Sequence, residues 1–172
     1  MLLRHLIAIT LLPFMAVVVV PRWLIERAGG GDARWVAGLD LPAAPLIWTE
    51  RWGGLLLAAC GFALFSWCAI LLAQVGKGTL APWNPTRHLV VAGPYRYVRN
   101  PMIGAVLLML IGEAVMFRSR PIAIWASIFF LVNHFYFLLI EEPGLGRRLG
   151  EPYQRHRASV PRWFPRRRPW EP

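Results

Sequence analysis

The sequence predicts an all-α, polytopic membrane protein built as one domain over residues 1–172. Three observations carry this. Residues 53–75 hold no charge and are long enough to cross a hydrocarbon core of ~30 Å. Two further apolar stretches, 101–117 and 121–140, are separated only by Arg118-Ser119-Arg120 and so predict a tight helical hairpin. The composition is 56% hydrophobic, with a mean hydropathy of +0.45, too apolar for a soluble chain of this length.

Taken in order, the first span is expected near 6–25. It follows Arg4, contains Pro13 and reaches Trp23 at the expected interface. A cleavable leader is the competing reading, but Pro21-Arg22-Trp23 follows the apolar run where small residues would mark a cleavage site. The connector to Trp52 is rich in Gly, Pro and charge. Within it, 41–48 is apolar yet too short to span and reads as an interfacial or re-entrant piece. In the second span, 53–75, Gly53, Gly54, Ala58, Ala59, Gly61 and Ala63 would let a neighbouring helix come close. Pro82, Pro85, Pro94 and Pro101 keep the next connector from forming one helix, and Pro101 then opens the third span. The fourth span runs 121–140, and Glu142-Pro143 reads as a helix restart. The hairpin has a geometric consequence: Asn100 and Glu141, at its two outer ends, lie on the same side.

With four spans, both termini and the 76–100 connector share one face. That face carries thirteen of the Lys and Arg residues against six on the other, so it is expected to be cytoplasmic. The net charge of +10 excludes little by itself. The cations flank apolar spans, however, and no nucleic-acid motif is present; membrane lipids, with anionic headgroups under the Arg- and Trp-rich tail, are the expected partner. A disordered end is the alternative for that tail. Cys60 and Cys68 sit inside an apolar span with no metal-ligand spacing, so no metal site is expected. Glu113, Asn133 and His134 are polar groups within spans. They read either as functional groups or as interhelical hydrogen-bonding partners.

The run Arg87 to Gly104 concentrates Arg, Tyr, Gly and Pro between apolar spans. Its composition fits either a plain basic loop or a polar site. Gly76-x-Gly78 lacks the third glycine and the βαβ context of a dinucleotide fingerprint. The residues His88, Leu89, Gly93, Pro94, Tyr95, Arg99, Pro101 and Gly104 match, in order, a signature of the form His-x-Leu-x-x-x-Gly-Pro-Tyr-x-x-x-Arg-His-Pro-x-Tyr-x-Gly. In this respect the chain resembles the integral-membrane methyltransferases that include isoprenylcysteine carboxyl methyltransferase and phospholipid N-methyltransferases. Asn100 stands where His is usual and Ile103 where Tyr is usual. A second block also matches that family: Glu141-Glu142, Leu145, Leu149-Gly150, Tyr153 and Val160-Pro161-Arg162. The blocks extend over 87–104 and 141–162.

The resemblance implies S-adenosylmethionine-dependent methyl transfer to a lipophilic, membrane-partitioned acceptor: a small molecule or lipid-linked group bearing a carboxylate, amine or thiol. It implies a cofactor site made by His88, Leu89, Gly93, Pro94, Tyr95, Arg96, Arg99, Asn100, Pro101, Gly104, Glu141, Glu142, Leu145 and Tyr153. Arg99, Arg96 or the turn at Gly93 is suited to the cofactor carboxylate, Glu141 and Glu142 to its hydroxyls or ammonium, and the tyrosines to adenine. Arg99 and Glu142 are the expected catalytic pair; an amine acceptor would need a base, for which Glu142 or His88 is available. Two competing functions remain open from sequence: a nicotinamide-dependent membrane reductase resembling sterol reductases, and a non-catalytic scaffold whose basic loops only set topology.

Overall fold

The computed structural model describes residues 13–27, 43–76 and 89–171. Among these the regular structure is helical: a π turn Met15–Val19 leading into α1 (Val20–Arg27), then α2 (Ala43–Gln74), α3 (Pro101–Met116), α4 (Arg120–Tyr136), α5 (Glu142–Leu149) and α6 (Glu151–Ser159). A second π turn, Phe137–Glu141, joins α4 to α5, and a single 3₁₀ turn, Gly93–Arg96, precedes α3.

Among the described residues, two helical segments are long and apolar enough to cross a membrane, Trp48–Gln74 and Arg120–Leu149. In both, only 17% of the most apolar window is buried within the protein. Leu56, Phe62, Ile124, Val132, Leu139 and Ile140 are each at least 60% exposed. A surface of this kind is costly in water and natural in lipid. α3 is equally apolar but has sixteen residues, about 24 Å of helix. Of the expected first span, residues 6–12 lie outside the described residues.

Two expectations are corrected. The 41–48 stretch is not a separate interfacial piece: from Ala43 onward it is the first part of α2. Pro45 falls in the first turn, where its missing N–H has no helical acceptor to lose. Nor does Glu142-Pro143 restart a helix. The backbone runs through the π turn without a break, with the Glu142 N–H bonded to the Phe137 carbonyl five residues back. The same device occurs before Pro21, where the Val20 N–H bonds the Met15 carbonyl. Continued in that register, the Ala16 carbonyl would need an N–H from Pro21, which has none. The Trp125 indole N–H supplies it from α4, at 3.0 Å. A π turn ahead of a proline thus frees a carbonyl for a neighbouring helix to use.

The main interface lies between α2 and α3, and small residues set its spacing. A Cβ placed on Gly54 would lie 2.5 Å from the Gly112 carbonyl oxygen, and one on Gly112 2.6 Å from the Ala58 nitrogen. A Cβ on Gly61 would lie 2.8 Å from the Ala105 oxygen. Gly54, Ala58 and Gly61 therefore form the expected close-approach stripe, whereas Gly53 has nothing within 4 Å and Ala59 and Ala63 are exposed. Behind this contact, Val106, Met109, Leu110 and Ala126 form the core, with Val17, Phe65, Trp125 and Phe129 against it.

The α3–α4 hairpin forms as expected. Ser119 caps α4, its hydroxyl accepting from the Ile122 N–H at 3.4 Å. Arg118 takes a positive φ of 50° in the turn and pairs with Glu50 of α2 at 2.8 Å. Asn133 donates to the Phe129 carbonyl of its own helix at 2.8 Å. His134 Nδ1 accepts from the Trp163 indole at 3.0 Å. Glu113 Oε2 is buried without a hydrogen-bond partner.

Candidate functional site

At the open end of the hairpin the two sequence blocks meet. Pro101 starts α3 at a position where proline is pre-organised for a helix, so the loop 89–100 ends directly above the bundle. The π turn brings Glu142 to the same level, and Arg99 Nη1 donates to Glu142 Oε1 at 2.8 Å. Arg162, from the C-terminal segment, forks onto the same carboxylate, Nε to Oε1 at 2.6 Å and Nη2 to Oε2 at 2.9 Å. Arg157 Nε stands 3.4 Å from Oε2. Glu142 is only 3% exposed and is surrounded by cations; its hydrogen bonds to Arg162 raise that guanidinium's pKa. Tyr153 is buried beside the cluster, and its hydroxyl pKa is raised by burial first and then by the Glu142 charge.

The C-terminal segment does not form a free tail. It is laced to the loop through its backbone: Arg99 N–H to the Pro161 carbonyl at 2.9 Å, Arg166 N–H to Tyr97 at 3.0 Å and Trp170 N–H to Arg96 at 2.9 Å. Arg96 is committed to this contact, donating to the Trp170 carbonyl at 3.0 Å and pairing with Glu171 at 2.7 Å. His156 Nε2 donates to the Tyr95 carbonyl at 3.1 Å, and Nδ1 is buried without a partner among the described residues. Burial chiefly, and the Arg99 charge as well, lower the His156 pKa against the opposing effect of that hydrogen bond. Tyr95 packs down onto Cys68 of α2; burial first, then the adjacent thiol, push its hydroxyl pKa well above the usual tyrosine value.

The structure brings Tyr95, Arg99, Glu142 and Tyr153 into one cluster, with Arg96 held beside it by the tail. Asn100 precedes α3 without capping it by its side chain, and its Nδ2 is buried with no partner among the described residues. Arg99 Nε is likewise a buried, unused donor. Pro101 is buried; Leu89, Pro94 and Leu145 are half-buried. Gly93 takes a positive φ of 52°, and a Cβ there would lie 2.9 Å from the Leu71 side chain. A Cβ on Gly104 would point into open space. Glu141 is half-buried in the π turn and, among the described residues, forms no hydrogen bond or ion pair. His88 lies outside the described residues.

Sequence reasoning missed Arg157 and His156 and did not give Arg162 a place in the site. The signal was present in part. Tyr153 and His156, at i and i+3, are the buried residues of α6, so His156 sits on its inner face; Val160, just past the helix end, is buried as well. Arg162 closes the second block but could not be assigned to Glu142 before the tail was seen to fold back.

Chemically, among the described residues, the arrangement offers unused donors on Arg99 and Asn100, an uncommitted carboxylate on Glu141, and open space at Gly104. No curated protein matches the chain. Residues 49–151 match the phospholipid methyltransferase family model, over more than half of the sequence, and that family implies methyl transfer to a membrane-associated substrate rather than nicotinamide-dependent reduction or a scaffold role. The match begins in α2, spans the α3–α4 hairpin and ends at the start of α6, and on it the chain belongs to the phospholipid methyltransferase family.

Proposed function

We propose that this protein transfers a methyl group from S-adenosylmethionine to a lipophilic acceptor that reaches the site from the bilayer. We read residues 1–172 as one domain with four spans and with the site on the cytoplasmic face, where the excess of Lys and Arg lies. The observation that carries the reading is the Arg99–Glu142–Arg162 cluster, which ties both sequence blocks together at the mouth of the α3–α4 hairpin.

The residues suit the cofactor. The free Nε of Arg99 and the free Nδ2 of Asn100 are donors for its carboxylate, and buried donors without partners are costly unless a ligand takes them. Glu141 is the acceptor for its ammonium or hydroxyls. Leu89, Pro94, Tyr95, Pro101, Leu145 and Tyr153 are available to enclose adenine, Gly93 and Gly104 give the backbone close approach, and His88 joins them by the sequence signature. When bound, S-adenosylmethionine supplies an electrophilic methyl group on a sulfonium.

The protein's own part is alignment and exclusion of water. Glu142 has both oxygens engaged by guanidinium groups, so we assign it and Arg99 to positioning: together they fix the loop against the helix end. Glu141 has no such commitment and is the group placed to take a proton from an amine acceptor. A carboxylate or thiolate acceptor would need no base.

Calorimetric titration of the purified protein with S-adenosylhomocysteine tests the assignment. Saturable binding by wild type, lost in Arg99→Ala and weakened in Glu141→Gln, is expected. With a labelled methyl donor and amine-bearing lipid, Glu141→Gln should lower turnover about 10²- to 10⁴-fold. Absence of binding by a folded wild-type protein, with or without acceptor lipid, would overturn the proposal.

A further inference from the structure

The C-terminal segment has features that closure over the site does not require. Trp163 packs its ring against Phe130 and His134 of α4 and Phe137 at the start of the π turn, at centroid distances of 5.1, 6.1 and 6.1 Å, and its indole N–H bonds His134. His134 lies eight residues before Glu142, about 12 Å along the helix. The segment therefore holds Glu142 with Arg162 and, one residue later, reaches well down the side of α4. Around that level the helix exposes Leu131 and Phe135 and, in the π turn that follows, Leu138 and Leu139. If those residues face acyl chains, so does the turn carrying Trp163. The next residue, Phe164, is 84% exposed, more than any other large hydrophobic residue described. Arg167 and Arg168 follow three and four residues later, both exposed, and neither forms an ion pair among the described residues. An exposed aromatic residue near unpaired guanidinium groups is the pattern of an interfacial anchor on an anionic bilayer.

We propose that residues 161–170 form a wedge in the membrane interface. Phe164 enters the acyl boundary and Arg167 and Arg168 bind the phosphates of anionic phospholipids, so the bilayer holds in place the segment that covers Tyr97 to Arg99. The same segment donates backbone N–H groups to the Tyr97 and Arg96 carbonyls and accepts one from Arg99. Lipid composition is thereby connected to the order of the site loop. The inference rests on α4 spanning the membrane, not on the identity of the methyl donor.

The test uses the full chain with Cys60, the exposed native thiol, replaced by Ser. An environment-sensitive fluorophore is attached at Pro165→Cys and, in a separate sample, at Leu139→Cys. Both are reconstituted in bilayers of phosphatidylcholine with phosphatidylglycerol. The label at 165 should be quenched by a spin label on the acyl chains and shielded from aqueous iodide. Phe164→Glu should reverse that preference. Arg167→Gln with Arg168→Gln, or removal of phosphatidylglycerol, should lower the inserted-to-free ratio about tenfold; Arg155→Gln, whose side chain already pairs with Glu151, should not. Iodide quenching at 165 alongside acyl-chain quenching at 139 would overturn the wedge while leaving the spanning helix intact. Iodide quenching at both would overturn the spanning reading as well. Equal insertion with and without phosphatidylglycerol would overturn the anionic-lipid assignment. No methyl donor is present, so none of these outcomes depends on the proposed activity.

Discussion

Replacing Glu142 by Gln should be the most damaging single polar substitution in the site. Glu142 is 3% exposed and the Arg99 and Arg162 side chains are 12% and 16% exposed, so little water can replace the lost charge. The amide keeps the shape but turns one accepting atom into a donor that faces guanidinium N–H groups. Removing one partner of a buried charge cluster costs about 3–5 kcal/mol. Arg162→Gln is milder, since Arg99 and Arg157 still neutralise the carboxylate; loss of a charge-assisted hydrogen-bond pair suggests about 1.5–3 kcal/mol. Arg157 is 52% exposed and 3.4 Å away, so its replacement should cost less than about 1 kcal/mol. The order Glu142 > Arg162 > Arg157 can be read by reversible unfolding in mixed detergent micelles, followed by the fluorescence of the nine tryptophans. A double-mutant cycle should give a larger coupling for Glu142 with Arg162 than with Arg157. A cost below about 1 kcal/mol for Glu142→Gln, or equal couplings for the two arginines, would refute the argument that burial governs this cluster.

The other expectations follow from single contacts. Gly112→Ala should destabilise by about 1–3 kcal/mol because its Cβ meets the α2 backbone, while Gly53→Ala, which meets nothing, should stay within about 0.5 kcal/mol in the same assay. Trp125→Phe should cost about 1–3 kcal/mol by leaving the Ala16 carbonyl without its donor, and amide exchange should quicken locally along residues 15–21. His156 has a lowered pKa when folded, so the unfolded chain takes up a proton first as pH falls. Its contribution is therefore complete above the ordinary histidine value of 6.5 and is lost as pH drops through that value towards the folded pKa; His156→Gln should flatten this part of the stability profile relative to wild type.

What the sequence made legible was largely what covalent geometry and solvent dictate. Arg118-Ser119-Arg120 is too short to do anything but reverse the chain, so the pairing of Asn100's neighbourhood with Glu141's followed without any knowledge of packing. Gly54, Ala58 and Gly61 share a face by the helical period, yet Gly53, Ala59 and Ala63 have the same chemistry and do not touch α3; only the rotation of α2 about its axis separates the two sets. Proline was misread at Pro143. A π turn absorbs its missing N–H there, and in a first turn, as at Pro45, the missing N–H is harmless, so a proline inside an apolar run is weaker evidence for a break than its propensity suggests. The largest gap was the C-terminal segment. Its arginines and tryptophans looked like a surface tail because composition cannot say which cation finds a buried carboxylate. Once Arg162 is on Glu142, the rest follows: the paired carboxylates of Glu141-Glu142 divide their labour, one held by guanidinium groups and one left uncommitted. Exchanging that division is a direct test of it. Glu142→Gln should lower stability more than Glu141→Gln, whereas with an amine-bearing lipid Glu141→Gln should lower turnover while leaving unfolding within about 1 kcal/mol of wild type. Equal losses of stability for the two would mean that both carboxylates are structural.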